Sequence, residues 1–145
     1  MSKFQKFMTS GNPQNVMSHL TRMRNPNRIL LALKHRQHDV QLWAIQRIIE
    51  TLGGQKSIDF ALELLESREP ETVMNGARMI RNIEGHEFVG RFGKVSDALT
   101  RAEDKIPSRY GREPIHIPTL NEIQHARAVL HKKWKEQTGL PLDPP

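Results

Sequence analysis

The side chains that can do chemistry in this sequence fall into two sets. His and Glu could serve metal or acid–base work, and Lys and Arg could serve phosphate contact. The first set is thin. His86-Glu87-Phe88-Val89-Gly90 opens like a zinc-protease helix, but Gly90 stands where the second histidine must be. His35 and His38 are three residues apart, with no third His or carboxylate at ligand spacing. Glu122 and His125 form one Glu-x-x-His, whereas a di-iron bundle needs two and further inward glutamates. Gly53-Gly54-Gln55-Lys56-Ser57 breaks the Gly-Lys-Ser order of a phosphate loop and follows a helical pattern, not a strand. No Gly-x-Ser-x-Gly elbow occurs, and the absence of Cys removes thiol nucleophiles, zinc–thiolate sites and disulfides. The expectation is a protein that is not an enzyme, with no catalytic residue, no metal site and no cofactor.

The second set is concentrated. The first 38 residues contain no Asp or Glu and carry Lys3, Lys6, Arg22, Arg24, Arg28, Lys34 and Arg36. The remaining 107 residues hold 15 basic and 16 acidic side chains, so the formal charge of +6 belongs to one end. Charge of one sign that repels itself is best tolerated beside a polyanion. Ser, Thr, Asn and Gln interleave with these cations, and they too reach phosphates. Arg109-Tyr110-Gly111-Arg112 joins two guanidinium groups to an aromatic ring, which suits phosphate contact and base stacking. Lys132 and Lys133, with Arg127, His131 and Lys135, charge the last helical segment. Cations near a helix C-terminus also have a plain electrostatic explanation. The candidate nucleic-acid contacts are thus Lys3, Lys6, Arg22, Arg24, Arg28, Arg109, Tyr110, Arg112, Lys132 and Lys133. No named RNA- or DNA-reading motif accompanies them, so binding should be backbone-driven and sequence-tolerant.

The elements that must hold these residues read as helical throughout. Hydrophobic content of 37% with 6% aromatics suits thin helical layers. Asn12-Pro13 and Asn25-Pro26 are two copies of one start signal: Asn caps orphan amides, and Pro fits the first helical position. The first helix places Val16, Met17, Leu20 and Met23 on one face, and the second places Ile29, Leu30 and Leu33 there. Asp39 caps a helix with Leu42, Ile45, Ile49 and Leu52 inward, ended by Gly53-Gly54. A fourth helix turns Ile58, Leu62 and Leu65 inward, and a fifth, opened by Pro70, buries Val73, Ala77, Ile80 and Ile83. The sixth, from about Glu87 to Lys105, has the cleanest stripe: Phe88, Phe92, Val95, Leu99 and Ala102. Residues 106 to 118 hold three prolines and predict an extended loop. Thr119 and Glu122 predict a capping box for the last helix, with Ile123, Ala126, Leu130 and Trp134 on one side. Trp43 and Trp134 read most simply as core or interhelix anchors. The fold expected is all-α, an irregular or HEAT-like bundle of about seven helices with an extended loop before the last.

A shift of 32 residues places Leu30 on Leu62, Leu33 on Leu65, Asp39 on Glu71, Ile48 on Ile80 and Gly53 on Gly85. Residues 27 to 85 therefore resemble a short HEAT-type repeat, which implies stacked helix pairs sharing a continuous core. The organisation expected is a basic N-terminal arm with a first helix at 1–24, a HEAT-like core at 25–105, the proline-rich loop at 106–118, and a terminal helix and tail at 119–145.

The function these features favour is a non-catalytic helical scaffold or adaptor subunit of a larger ribonucleoprotein assembly such as a ribosome. Its basic arm would lie on RNA or another polyanion, and its helical faces on neighbouring protein subunits. The alternatives are a protein-binding HEAT-like adaptor without nucleic acid and a small helical enzyme. No stretch has the apolar length of a membrane span, so no membrane partner is expected. The expected location is intracellular, in cytoplasm or mitochondrial matrix. An acid-free N-terminus also reads as a mitochondrial transit peptide, against which Asn12-Pro13 and Asn25-Pro26 look like structural punctuation.

Overall fold

The computed structural model describes residues 1–107 and 113–139, which form helices joined by short turns, with no strand among them. They form eight α-helices and two short 3₁₀ turns. The chain divides into two compact units, Met1–Gly53 and Gly54–Pro145. No helix among the described residues is long and apolar enough to cross a membrane.

The first unit begins with a helix ahead of the start expected at Asn12-Pro13. Ser2 and Gln5 form a capping box: the Gln5 amide donates to Ser2 Oγ at 3.1 Å, and Gln5 Oε1 accepts from the Ser2 amide at 2.9 Å. That box starts α1 (Lys3–Ser10), so Lys3 and Lys6 lie within the first helix and not ahead of it. Met8 anchors α1 in the core at 0% exposure. Helices α2 (Pro13–Leu20) and α3 (Pro26–Ile29) start as the Asn-Pro pairs predict. Asn12 Oδ1 accepts from the Gln14 and Asn15 amides, and Asn25 Oδ1 accepts from the Asn27 amide. The expected second helix is not continuous. After α3 the chain tightens into a 3₁₀ turn over Leu30–Lys34. A three-residue repeat stacks Ile29 above Ala32, and both are buried.

Helix α4 (His38–Leu52) corrects the expected cap and stripe. Asp39 lies in the first turn and is not the N-cap, which is Gln37. The ordering work at this end falls to buried His35. Its Nε2 donates to the Gly11 carbonyl at 2.7 Å, its Nδ1 accepts from the Gln37 amide at 3.0 Å, and its carbonyl accepts from Gln41 Nε2 at 2.6 Å. The buried stripe of α4 is Val40, Ala44, Ile45 and Ile48, with Leu42 and Trp43 39% and 43% exposed. Trp43 is therefore not a core anchor. The small side chains of Val40 and Ala44 suit the close packing of α2, α3 and the 3₁₀ turn against α4.

The second unit is built around α6 (Pro70–Asn82), with α5 (Gly54–Leu65) and α8 (His116–Thr138) packed on it. Val73, Ala77 and Ile80 are buried as expected, and Met74, Asn75, Gly76 and Met79 join them. Gly76 is required by a close approach: a Cβ there would stand 2.9 Å from the Ala61 carbonyl oxygen and 3.1 Å from Leu64 Cβ. On α5 the inward residues are Ile58, Ala61, Leu64 and Leu65, whereas Leu62 is only half-buried. The expected sixth helix is interrupted. A 3₁₀ turn covers Gly85–Phe88, Gly90 takes the left-handed region at φ 83°, and α7 runs Phe92–Lys105. Its stripe survives the break, since Phe88, Phe92, Val95, Leu99 and Ala102 are all buried.

Helix α8 begins at His116, three residues before the predicted start. Its first turn absorbs Pro118, whose missing N–H would have no partner there. The predicted capping box does not form. The Thr119 hydroxyl donates to the Ile115 carbonyl at 2.7 Å, and Glu122 turns to α6. Trp134 serves as an anchor, meeting Phe92 edge-on with centroids 5.0 Å apart.

Candidate nucleic-acid interface

The division at Gly53 sharpens the charge asymmetry. Residues 1–53 hold 8 basic and 2 acidic side chains, and residues 54–145 hold 14 of each. The whole net charge of +6 therefore belongs to the first unit.

Seven of its eight cations are displayed at the surface. Lys3, Lys6, Arg22, Arg24, Arg28, Lys34 and Arg36 are all exposed. Among the described residues the ion pair within this unit is Arg47–Glu50, at 3.6 Å. None of the other seven cations has a carboxylate of the described residues within ion-pair reach. Lys3 and Lys6 share one face of α1 by their spacing of three. Phe4 and Phe7, on the adjacent face, hold α1 in place. Both meet the His19 ring edge-on, at 5.9 and 5.6 Å, and the Arg28 guanidinium lies 4.2 Å above the Phe4 ring. Arg22 and Arg24 flank Met23, whose carbonyl accepts from Arg47 Nε at 3.0 Å. That bond fixes the turn carrying them to α4.

In the second unit cations are structural parts. Arg78 and Arg81 both reach the Glu122 carboxylate, joining α6 to α8. Arg91 pairs with Asp59, and Arg127 Nη1 donates to Glu103 Oε1 at 2.7 Å. Lys105 Nζ donates to the Leu65 and Ser67 carbonyls at the end of α5. Lys133, a sequence-level candidate for phosphate contact, points inward. Its Nζ donates to the Arg81 carbonyl at 3.0 Å and to the Ile83 carbonyl at 2.5 Å, closing the C-terminus of α6. Burial holds its pKa below the ordinary lysine value, and the nearby Glu84 and Glu136 only partly offset this. Burial would raise the Glu103 pKa, but hydrogen bonds from Arg127 and Gln124 and the Arg127 charge bring it below the usual value. Lys132 stays exposed on α8.

No known family, curated protein or solved structure matches this chain.

The weak acid–base candidates are dispersed. His35 has both ring nitrogens occupied by backbone groups, while His38 stands exposed at the start of α4. Glu122 faces two arginines, and His125 is exposed. Glu87 is tied to Gln55 Nε2, with His86 3.9 Å away. No group of three or more His, Cys, Asp or Glu converges among the described residues. Arg109, Tyr110 and Arg112 lie outside the described residues. Sequence reasoning missed Trp43 as a surface residue. The available signal was its place three and four residues before Gln46 and Arg47, on a polar stripe of α4.

Proposed function

We propose that this chain is a non-catalytic helical scaffold subunit of an intracellular ribonucleoprotein assembly such as a ribosome, and that its first unit lies on RNA phosphates. The observation that carries this reading is the set of seven exposed cations without a carboxylate partner among the described residues, on a unit of net +6. Fixed, unneutralised charge on helices is an electrostatic footprint for a polyanion. The neutral second unit would face neighbouring protein subunits, where exposed Val89 and Ile117 offer apolar contact. The helix pairs within 27–85 are part of the same reading, as HEAT-type units in a scaffold.

The test is fluorescence anisotropy of the full chain with a labelled RNA across a salt series. Affinity should fall steeply, with a slope of about −0.7 to −0.9 per phosphate contact. Replacing Lys3, Lys6, Arg22 and Arg24 together by Gln should flatten the slope by roughly three units. Salt-independent association, or an unchanged slope in the variant, would assign the chain to the second reading, a protein-binding HEAT-like adaptor. Exposed Leu42 on α4 favours that reading.

A further inference from the structure

Trp43, Gln46, Arg47 and Glu50 recur at steps of three, one and three, so they form one stripe of α4. With Thr21, beyond the end of α2, they line an open cleft of ≈ 200 Å³. Drug-sized ligands occupy pockets of about 300–1,000 Å³, so this cleft suits a single ring system. Its wall is an indole 43% exposed to solvent. The rest is polar: the Gln46 amide, the Thr21 hydroxyl, the Glu50 carboxylate, and the Arg47 guanidinium fixed by the Met23 carbonyl and Glu50. An apolar anchor from a protein would offer no hydrogen bond to the Gln46 amide, and an acidic peptide would meet Glu50. A nucleobase satisfies both halves, with its face on the indole and its edge toward the amide and carboxylate. The lining residue Thr21 leads directly into Arg22, Met23 and Arg24. The segment that closes the cleft therefore also carries two exposed cations for the adjoining phosphates.

We propose that the Trp43 cleft receives one unstacked base of a single-stranded nucleic acid, with the flanking phosphates on Arg22 and Arg24. This rests on the phosphate-binding reading above and adds a base-dependent term to it. Duplexes offer no free base, so they should bind by charge alone.

The experiment uses the full chain with Trp134→Phe, excited selectively at the indole, so that Trp43 alone is read. It is titrated with a short oligouridylate, its deoxy counterpart, an abasic strand of equal length and polyglutamate. Either base-bearing strand should quench Trp43, and the tighter of the two identifies the source of the base. The abasic strand and polyglutamate should not quench it. Trp43→Leu should weaken binding of the base-bearing strand on the order of tenfold, with its salt slope unchanged, and Trp43→Phe should restore most of the loss. Circular-dichroism melting confirms that each variant is folded. Equal binding by Trp43→Leu, or equal quenching by the abasic strand, overturns the base site and leaves the phosphate reading standing. Absence of binding by every strand overturns both. Quenching by polyglutamate as strong as by RNA overturns the base site in favour of a protein ligand.

Discussion

Lys133 and Lys6 are the same side chain in opposite circumstances. The Lys133 ammonium is drawn into the second unit, where it donates to two carbonyls at the end of α6. The Lys6 side chain is exposed on α1, with no acidic residue among the described ones within ion-pair reach. The contrast repeats across the two units. Arg78, Arg81, Arg91, Arg127 and Lys105 join helices or close helix ends in the second unit. In the first unit most joints are made by neutral groups, Ser2 with Gln5, the two Asn caps, and His35 between Gly11 and Gln37, with Arg47 on the Met23 carbonyl and Arg28 on the Phe4 ring as the cationic ones. Charge that does not hold the fold is free for a partner, and charge that does is not. A basic residue is thus informative about binding only once its internal partners are known.

The comparison breaks first if the second unit does not depend on its buried centre. Ile80→Ala, at a position 0% exposed, should cost about 2–5 kcal/mol in urea unfolding. Leu62→Ala, half-buried, should cost clearly less, and equal costs would show that α5 is turned differently.

Next in size is the ionic joint. Glu122→Ala leaves Arg78 and Arg81 without their shared carboxylate and should cost about 1–3 kcal/mol. A double-mutant cycle with Arg81→Met isolates the pair, and zero coupling would demote the bridge to a surface contact.

A smaller effect is expected from pH. Lys133 has a depressed pKa, so its charge is disfavoured by folding at neutral pH. That disfavour is relieved as pH rises toward the ordinary value of 10.5. Against Lys133→Met, the wild-type protein should therefore gain relative stability in the alkaline range just below 10.5. Glu103 has the opposite sign. Its lowered pKa contributes stability above 4.5 that is lost as pH falls through the folded value, and Arg127→Met should remove this acid-side dependence. Denaturant midpoints measured across pH check both.

The smallest effect is the sharpest test of the contrast. The Lys3, Lys6, Arg22 and Arg24 to Gln variant should leave stability within about 0.5 kcal/mol per site. Its melting temperature should hold or rise slightly at low salt, because self-repulsion is reduced. A marked loss would mean that these cations support the first unit after all.

Much of the fold was legible because its signals are local. The Asn-Pro starts, the Gly53 stop and the stripe from Phe88 to Ala102 each act within a few residues, and each appears as read. The α1 capping box was equally local and was overlooked because Ser2 precedes a polar helix with little apolar pattern. Leu62 and the start of α8 were misjudged for another reason. Each has two acceptable local answers, and a neighbouring helix selects between them. For α8, the His116 ring accepts from the Glu113 amide, and the Thr119 hydroxyl also reaches Pro70, which opens α6.

By itself the sequence determined the helical class, most helix ends and the placement of the net charge at one end. These follow from caps, periodicity and counting, which need no distant partner. Only the tertiary structure decided which cations remain available. Lys133, Lys105 and Arg81 meet carbonyls and a carboxylate 38 to 52 residues away in the chain, and proximity of that kind is set by helix packing. The same packing left the indole of Trp43 at the surface, where the sequence reads it most simply as a core or interhelix anchor.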